Sequence, residues 1–506
     1  MAAAPAPRFA ILLSHPYDNI ICGSIVFVVS SDLTFFIKRE YEMPQIFRIR
    51  PILFLITFIL VNIPTFAAPL VEVCKKKMVW DQPPVLPPKP LCPPCPEPSG
   101  RPISYGRKLE CAVVKIVPYG YVKWETYFDT REVIGFREVN VILFPSPPVR
   151  DKFGRDINAR GFWNMTAFET RLGFALTGPD WGDFKTDGMV EGDFRGGADS
   201  TIFNFRMRNL FGRITWEHGN LLFGQWWHPL WIPECFPHTL GFAIGAPIDP
   251  QAREPQLRLS QRWHWFELIT AAAAQHDYAS PGPLGVNPIY IERAVIPNLH
   301  LQMRAYWKDN VVGVAGDYKR LVPRIVTDNN VKTKEHIDSF IFEAFAAFIH
   351  APWSLRMKAF WAQNGSEHLL ISGYGVRTVN SITDVRTYSN TACAGAWLDF
   401  SYLFHCDQME LGLFVGGTKN LGSRHRLHID PLTGQPIIFA LAGVAQNLDY
   451  VVEVIPRFIF MKDPIRAGVE LEVNRASYGT PNACGLIRNG CPVTDYRILF
   501  VLYYMF

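Results

Sequence analysis

The sequence lacks a surplus of either charge. Fifty Lys+Arg stand against 46 Asp+Glu over 506 residues, a formal net charge of +4. That balance excludes a nucleic-acid binder working through a strongly basic surface. Charge is also scarce in total, at 19% against the roughly 25% of soluble domains. The hydrophobic share, 48%, is ordinary, so part of the surface belongs somewhere other than water. Ten cysteines in so long a chain make no dense disulfide framework. Cys92 and Cys95 form a C-x-x-C within a proline-rich stretch, with no second pair at zinc spacing. His425 and His428 form an H-x-x-H in a polar loop without supporting carboxylates. No G-x-S-x-G, Walker A or H-E-x-x-H motif occurs. The expectation is no enzyme, no metal and no cofactor. Forty prolines and 37 glycines, spread as punctuation, exclude one long helical bundle.

The chain opens with three segments of distinct composition. Arg48 and Arg50 precede an apolar run from Ile52 to Ile63, followed by Pro64-Thr65-Phe66-Ala67-Ala68. A basic region, a short apolar run and a small-residue site read as a secretory signal peptide over 43–67, cleaved after Ala67. The run is shorter than the roughly 20 residues of a spanning helix. Met43 is the natural start of this peptide, which makes 1–42 an upstream extension from a mis-assigned start. Residues 68–104 are dense in proline and form an extended spacer. After the leader no apolar run is long enough for a transmembrane helix, which leaves a soluble all-β protein or a closed membrane barrel.

Alternation along the remaining chain decides between them. Leu299, Leu301, Met303, Ala305 and Trp307 point one way; His300, Gln302, Arg304, Tyr306 and Lys308 point the other. The same period of two runs through 353–363, 447–460 and 465–475. It predicts strands near 114–130, 165–177, 188–195, 201–217, 220–230, 255–262, 265–274, 299–308, 311–320, 336–349, 353–363, 393–405, 408–417, 447–460, 465–475 and 495–506. Many are about ten residues or longer, as tilted membrane strands require; sandwich strands run nearer five or six. Short turns are expected at His218-Gly219, Trp263-His264, Asp309-Asn310, Ala351-Pro352, Asp407 and Met461 to Pro464. They alternate with long loops at 131–164, 231–254, 275–298, 321–335, 364–392, 418–446 and 476–494. Only 178–187 and 196–200 break that asymmetry. The fold class is therefore all-β: an antiparallel transmembrane barrel of about sixteen strands over 105–506, wide enough for an aqueous channel. The partners expected of such a barrel are membrane lipid and small hydrophilic solutes, not nucleic acid.

Two resemblances sharpen the reading. The last strand presents Tyr496, Ile498, Phe500, Leu502, Tyr504 and Phe506 on one face; Tyr504 and the terminal Phe506 resemble the bacterial outer-membrane assembly signal. Tyr119-Gly120-Tyr121-Val122-Lys123 resembles the opening strand of general porins. Thr170-Arg171-Leu172-Gly173, Val190-Glu191-Gly192-Asp193-Phe194, Phe205-Arg206-Met207-Arg208-Asn209 and Leu222-Phe223-Gly224-Gln225-Trp226 follow in order. Together they resemble the DcaP-like trimeric porins, best over 105–230, with Asn209 standing where that family usually has His. The resemblance implies a passive channel in the bacterial outer membrane, a homotrimer, and a third external loop, 231–254, folded into the lumen as a constriction. That loop carries Glu234, Asp249, Arg253 and Glu254.

By alternation, Arg171, Arg206, Arg208, Arg258, Arg262, Arg304, Arg356 and Lys358 lie on the polar faces of their strands and line the pore. An acidic loop opposite this basic wall gives a transverse field and a modest anion preference. Alternatively Glu191, Asp193, Glu453, Glu470 and Glu472 neutralise the arginines and leave a weakly selective channel. Trp226, Trp227, Trp231, Trp263 and Trp265 read as an interfacial aromatic belt, with solute stacking as the functional alternative. Cys484 and Cys491 flank part of the last loop and could close a disulfide in an oxidising compartment. A non-conducting structural or adhesive barrel is the rival reading, and the third loop's position, inside or outside the lumen, separates the two.

Overall fold

The computed structural model describes residues 114–276, 278–405, 408–441 and 445–506. The expected extension, signal peptide and spacer lie outside the described residues, as do Cys92, Cys95, Cys406 and the turn at Asp407. Sixteen antiparallel strands close into a barrel. The first eight are β1 (Lys115–Asp129), β2 (interrupted, Phe162–Thr166 and Arg171–Thr177), β3 (Lys185–Asp193), β4 (Arg206–Trp216), β5 (Gly219–Trp227), β6 (Arg253–Trp263), β7 (Phe266–Ala273) and β8 (Asn298–Trp307). The others are β9 (Asn310–Leu321), β10 (Ile337–His350), β11 (Trp353–Gln363), β12 (Arg386–Phe404), β13 (Met409–Ser423), β14 (Leu448–Lys462), β15 (Ile465–Tyr478) and β16 (Cys491–Met505).

Each strand pairs with the next, and β1 pairs with both β2 and β16, from Tyr121↔Met505 to Asp129↔Arg497. At the seam Gly120 and Phe506 exchange both backbone hydrogen bonds, at 3.0 and 3.1 Å. A closed sheet has no unpaired edge, which a hydrocarbon environment demands. Among the described residues no helix is long and apolar enough to cross a membrane.

Burial along the strands is inverted relative to a water-soluble protein. On β8, Leu299, Leu301 and Met303 are more than two-fifths exposed, while His300, Gln302 and Arg304 are buried. Around the barrel the outward face is apolar: Trp124, Phe174, Phe223, Leu257, Phe342, Leu398, Leu413 and Leu502 are all exposed. A charge on that face near mid-membrane costs about 2–4 kcal/mol, so the charged residues are confined to the other parity.

Connections alternate in length. Short turns occupy 178–184, 217–218, 264–265, 308–309, 351–352 and 463–464. Long loops lie at the opposite end: L1 (130–161), L2 (194–205), L3 (228–252), L4 (274–276 and 278–297), L5 (322–336), L6 (364–385), L7 (424–441 and 445–447) and L8 (479–490). Several expected boundaries shift by one to three residues, and four by more, at the starts of β4, β12 and β16 and the end of β13. β3 starts at Lys185, which shortens the turn before it; β12 starts at Arg386 and β13 runs to Ser423. These two long strands pair to Thr391↔Ser423 through a register shift at Ala392/Cys393, so the polar residues near the top of each belong to the sheet.

Replacing Leu301 by Arg tests the assignment of the outward face. The substitution should lower the stability of the lipid-refolded barrel by about 2–4 kcal/mol, measured by denaturant titration in vesicles. An unchanged transition would show that Leu301 does not face lipid.

Candidate functional site

L3 leaves the top of β5 and crosses the lumen to the opposite wall. Near its start, Lys358 on β11 donates to the Leu230 carbonyl at 2.7 Å. Glu234 pairs with Arg304 on β8 at 3.2 Å. The Cys235 thiol donates to the carbonyls of Ala346 on β10 and Met357 on β11, both at 3.3 Å. Further along, the backbone N–H groups of Leu240 and Gly241 donate to Glu470 on β15, and Lys123 on β1 donates to the Leu240 carbonyl at 3.1 Å. The loop then returns: Asp249 pairs with Lys358 at 2.8 Å and accepts from Trp397 Nε1 on β12 at 2.9 Å. Gly245, at φ +80, makes a bend that a side chain would strain.

The sequence folds L3 inward because it is apolar where it meets the wall. Ile232, Cys235 and Ile248 pack with the inward residues Val311, Phe345, Trp397, Phe414 and Ile455. Leu240 packs with Tyr127, Ile459, Leu499 and Val501, and a Cβ on Gly468 would lie 2.3 Å from its Cδ1. Other loops join. The L1 hairpin (Val133–Phe136, Val141–Pro145) and L6 residues Leu369, Leu370 and Ile371 cluster with Leu230 and Phe242 of L3. The lumen thus holds apolar cores as well as charge.

The expected wall residues sit as follows. Arg208, Arg258, Arg304, Arg356 and Lys358 lie on inward parity and are buried. Arg171 and Arg206 are half-buried, and Arg262 is exposed near a short turn, its guanidinium 4.2 Å from the Tyr306 ring centroid. Acidic partners stand beside most of the row. Asp193 takes Arg206 and Arg208 at 2.8 Å each, and Glu191 takes Arg208 at 3.1 Å and Arg171 at 3.8 Å. Arg457 is held by Asp399 at 2.6 Å and Glu410 at 3.0 Å. Glu234 and Asp249 are on L3 as expected, but Arg253 and Glu254 open strand β6. The loop ends earlier because Trp227↔Arg253 and Trp226↔Glu254 are already sheet partners.

The tryptophans divide. Trp263 and Trp265 are exposed at a short turn, where a belt residue belongs. Trp227 and Trp231 are buried and stacked at 4.5 Å, with the Arg253 guanidinium 5.0 Å from the Trp227 ring. They form the root of L3, not part of a belt. Trp226 packs edge-on against Phe211. Cys484 and Cys491 are free thiols.

Two groups escaped the sequence reading. The Arg457–Asp399–Glu410 set comes from three strands, and only their register joins it. His228, His300, Asp317 and His368 gather near the root of L3 and come from β5's end, β8, β9 and L6. Polar parity on β8 was visible for His300; its convergence with Asp317 and His228 was not.

Half-buried His238 lies on L3. Burial, with Arg356, Arg457 and Arg466 nearby, holds its imidazole well below the ordinary 6.5. A histidine depressed in the folded state stays neutral there, while the unfolded chain takes up a proton as pH falls below 6.5. Stability contributed by the packed loop is therefore lost on acidification, by at most about 1.4 kcal/mol per pH unit. Denaturant stability should fall between pH 7.5 and 5, and more steeply in the native protein than in a His238→Gln variant. Equal slopes would show that L3 does not bury this ring.

No protein-family description and no curated protein matches the chain. Solved structures do. The outer membrane channel DcaP of Acinetobacter baumannii aligns with TM-score 0.56 and 16% identity, covering 78% of this chain and 97% of its own. The anion-selective porin from Comamonas acidovorans aligns at TM-score 0.46 and 8% identity, over 78% of this chain and all (100%) of the porin. OmpT of Vibrio cholerae, at TM-score 0.46 and 12% identity, covers 79% of this chain and 99% of its own. The last two are too distant to carry an argument. The likeness to DcaP, together with the closed wall and its inverted burial, establishes that this chain has the fold of a DcaP-like outer-membrane porin.

Proposed function

We propose that the protein is a bacterial outer-membrane channel, reached after signal-peptide cleavage near Ala67. It passes small hydrophilic solutes by passive diffusion through a lumen that L3 constricts. The observation that carries this reading is the crossing itself. L3 is tied to Arg304, Lys358 and Trp397 on one side and to Lys123 and Glu470 on the other. A loop so anchored sets the width of a passage and the charge that faces it. The barrel is proposed to work as a homotrimer, as in the trimeric porins it resembles.

The charge arrangement supports weak selectivity with an anion lean. Most inward arginines have acidic partners close by, so their fields largely cancel beyond a few ångströms. Exposed Arg262, whose guanidinium lies over the Tyr306 ring, adds a positive margin at the short-turn end of β6. The wall residues Arg171, Arg206, Arg208, Arg258, Arg262, Arg304, Arg356 and Lys358, with Glu234 and Asp249, are the proposed selectivity set.

A second reading is favoured by one observation. Inward residues from β8 to β16, including Gln302, Glu343, Asp399, Arg457, Asn474 and Arg497, are almost wholly covered. A barrel so filled fits a non-conducting surface scaffold. Single-channel recording of the mature protein in a planar bilayer under a salt gradient separates the two. Discrete steps with a small anion-directed reversal potential are expected, and replacing Arg206 and Arg208 by Ala should shift that potential toward cations. Silence from a demonstrably folded barrel would select the scaffold.

A further inference from the structure

We propose that the lumen wall carries a buried site for a first-row divalent metal ion, formed by His228, His300 and Asp317. The three come from separate elements but converge on one point. His300 on β8 and Asp317 on β9 are directly opposed sheet partners. His228, the first residue of L3, is fixed to the end of the sheet by its N–H, which donates to the Ala252 carbonyl at 2.9 Å. One donor atom from each residue lies within 4.8 Å of the other two, and all three residues are buried.

Two of the donor separations are longer than good hydrogen bonds and close to the edge of a coordination shell. His228 Nε2 and His300 Nδ1 lie 3.4 and 3.5 Å from the same oxygen, Asp317 Oδ1. A good N–H···O bond is about 2.7–3.2 Å. A tetrahedral zinc with bonds of about 2.0–2.1 Å separates its donors by about 3.3–3.4 Å along each edge. These atoms have no hydrogen-bond partner: His228 Nε2, both nitrogens of His300, and Asp317 Oδ1. A missing ion is one reason buried polar atoms stand without a hydrogen-bond partner. Beside the trio stand His368, its ring centroid 4.7 Å from that of His228 and neither nitrogen hydrogen-bonded, and Glu254, 4.0 Å from His228 Nε2. Either can supply a further donor.

Two imidazoles and a carboxylate suit Zn2+ and its first-row neighbours rather than Ca2+ or Mg2+, which prefer all-oxygen shells. Leu230 N–H donates to His228 Nδ1 at 3.3 Å; a metal on Nε2 puts the ring proton on Nδ1 and would break that bond. Occupancy therefore couples to the first turn of L3, and the ion would tie that turn to β8 and β9.

The test uses the tag-free full barrel, refolded in detergent with Zn2+ or stripped with EDTA, and counts bound zinc after dialysis. Folding is checked independently by heat-modifiable electrophoretic mobility. One zinc per chain is expected. Asp317→Asn and His300→Gln should each weaken binding by more than the roughly 10–100-fold that follows loss of a supporting second-shell partner. If one variant does not fold, the other decides. A variant lacking the surface histidines, His425→Ala with His428→Ala, should bind as the native chain does. Folded native barrel that retains no zinc would overturn the proposal, leaving an ordinary imidazole–carboxylate cluster. So would zinc lost with the surface pair but kept by Asp317→Asn.

Discussion

Hydrocarbon offers no hydrogen bonds, and the rest of this structure depends on that constraint. Every backbone N–H and C=O at membrane depth has to be paired within the protein. Here the solution is closure of β1 onto β16, down to the exchange between Gly120 and Phe506 at the seam. Once the sheet is closed, the two parities of each strand see different solvents. Leucine, phenylalanine and tryptophan go outward, and the scarce charge is concentrated on the inner wall. The low overall charge of the sequence is a consequence of this geometry.

Charge gathered inside a barrel must then be solvated, neutralised or covered. This protein uses pairing and cover together. Arg208 is clasped by Glu191 and Asp193, Arg457 by Asp399 and Glu410, and Lys358 by Asp249 from L3. Removing one partner from such a buried pair strands the other, at a cost of about 3–5 kcal/mol. L3 is therefore held by groups that the wall itself needs satisfied. Its apolar residues meet an inner wall that is apolar in patches, at Phe345, Trp397, Phe414 and Ile455. Constriction and stability are coupled in this barrel.

The wall was legible in the sequence because a membrane strand writes its environment in a period of two. Leu299 to Trp307 shows both parities without ambiguity, and the alternation of short turns with long loops gave the order of the hairpins. The ends of β12 and β13 were not legible: Arg386 to Ala392 is mixed in character, and most of it becomes strand by pairing with Tyr374–Val379 of L6. The filled lumen left a signal that a simple polar-inside rule passes over. Ile337, Ile341, Phe345 and Ala347 are inward on β10, while Phe340, Phe342 and Ala344 are outward, so that strand is apolar on both faces, the pattern of a strand covered on both sides. The basic row was readable by parity, but its pairing was not. Asp193 and Arg208 meet across a register shift at Glu191/Gly192, and the cluster at His228 joins residues from four elements that no spacing in the chain connects.

The central claim is that L3 lies inside a closed membrane barrel, pressed against β10 and β11. Cys235 reports on it directly. The residue is fully covered, its thiol is engaged by Ala346 and Met357, and burial pushes it up to about 12. Cys491, at the start of β16, is exposed. Mass-resolved thiol labelling of the folded native protein compares the two within one molecule. The account predicts rapid labelling at Cys491 and protection at Cys235 until the barrel is unfolded. Labelling of Cys235 as fast as Cys491 in the folded barrel would place L3 outside the lumen and contradict it.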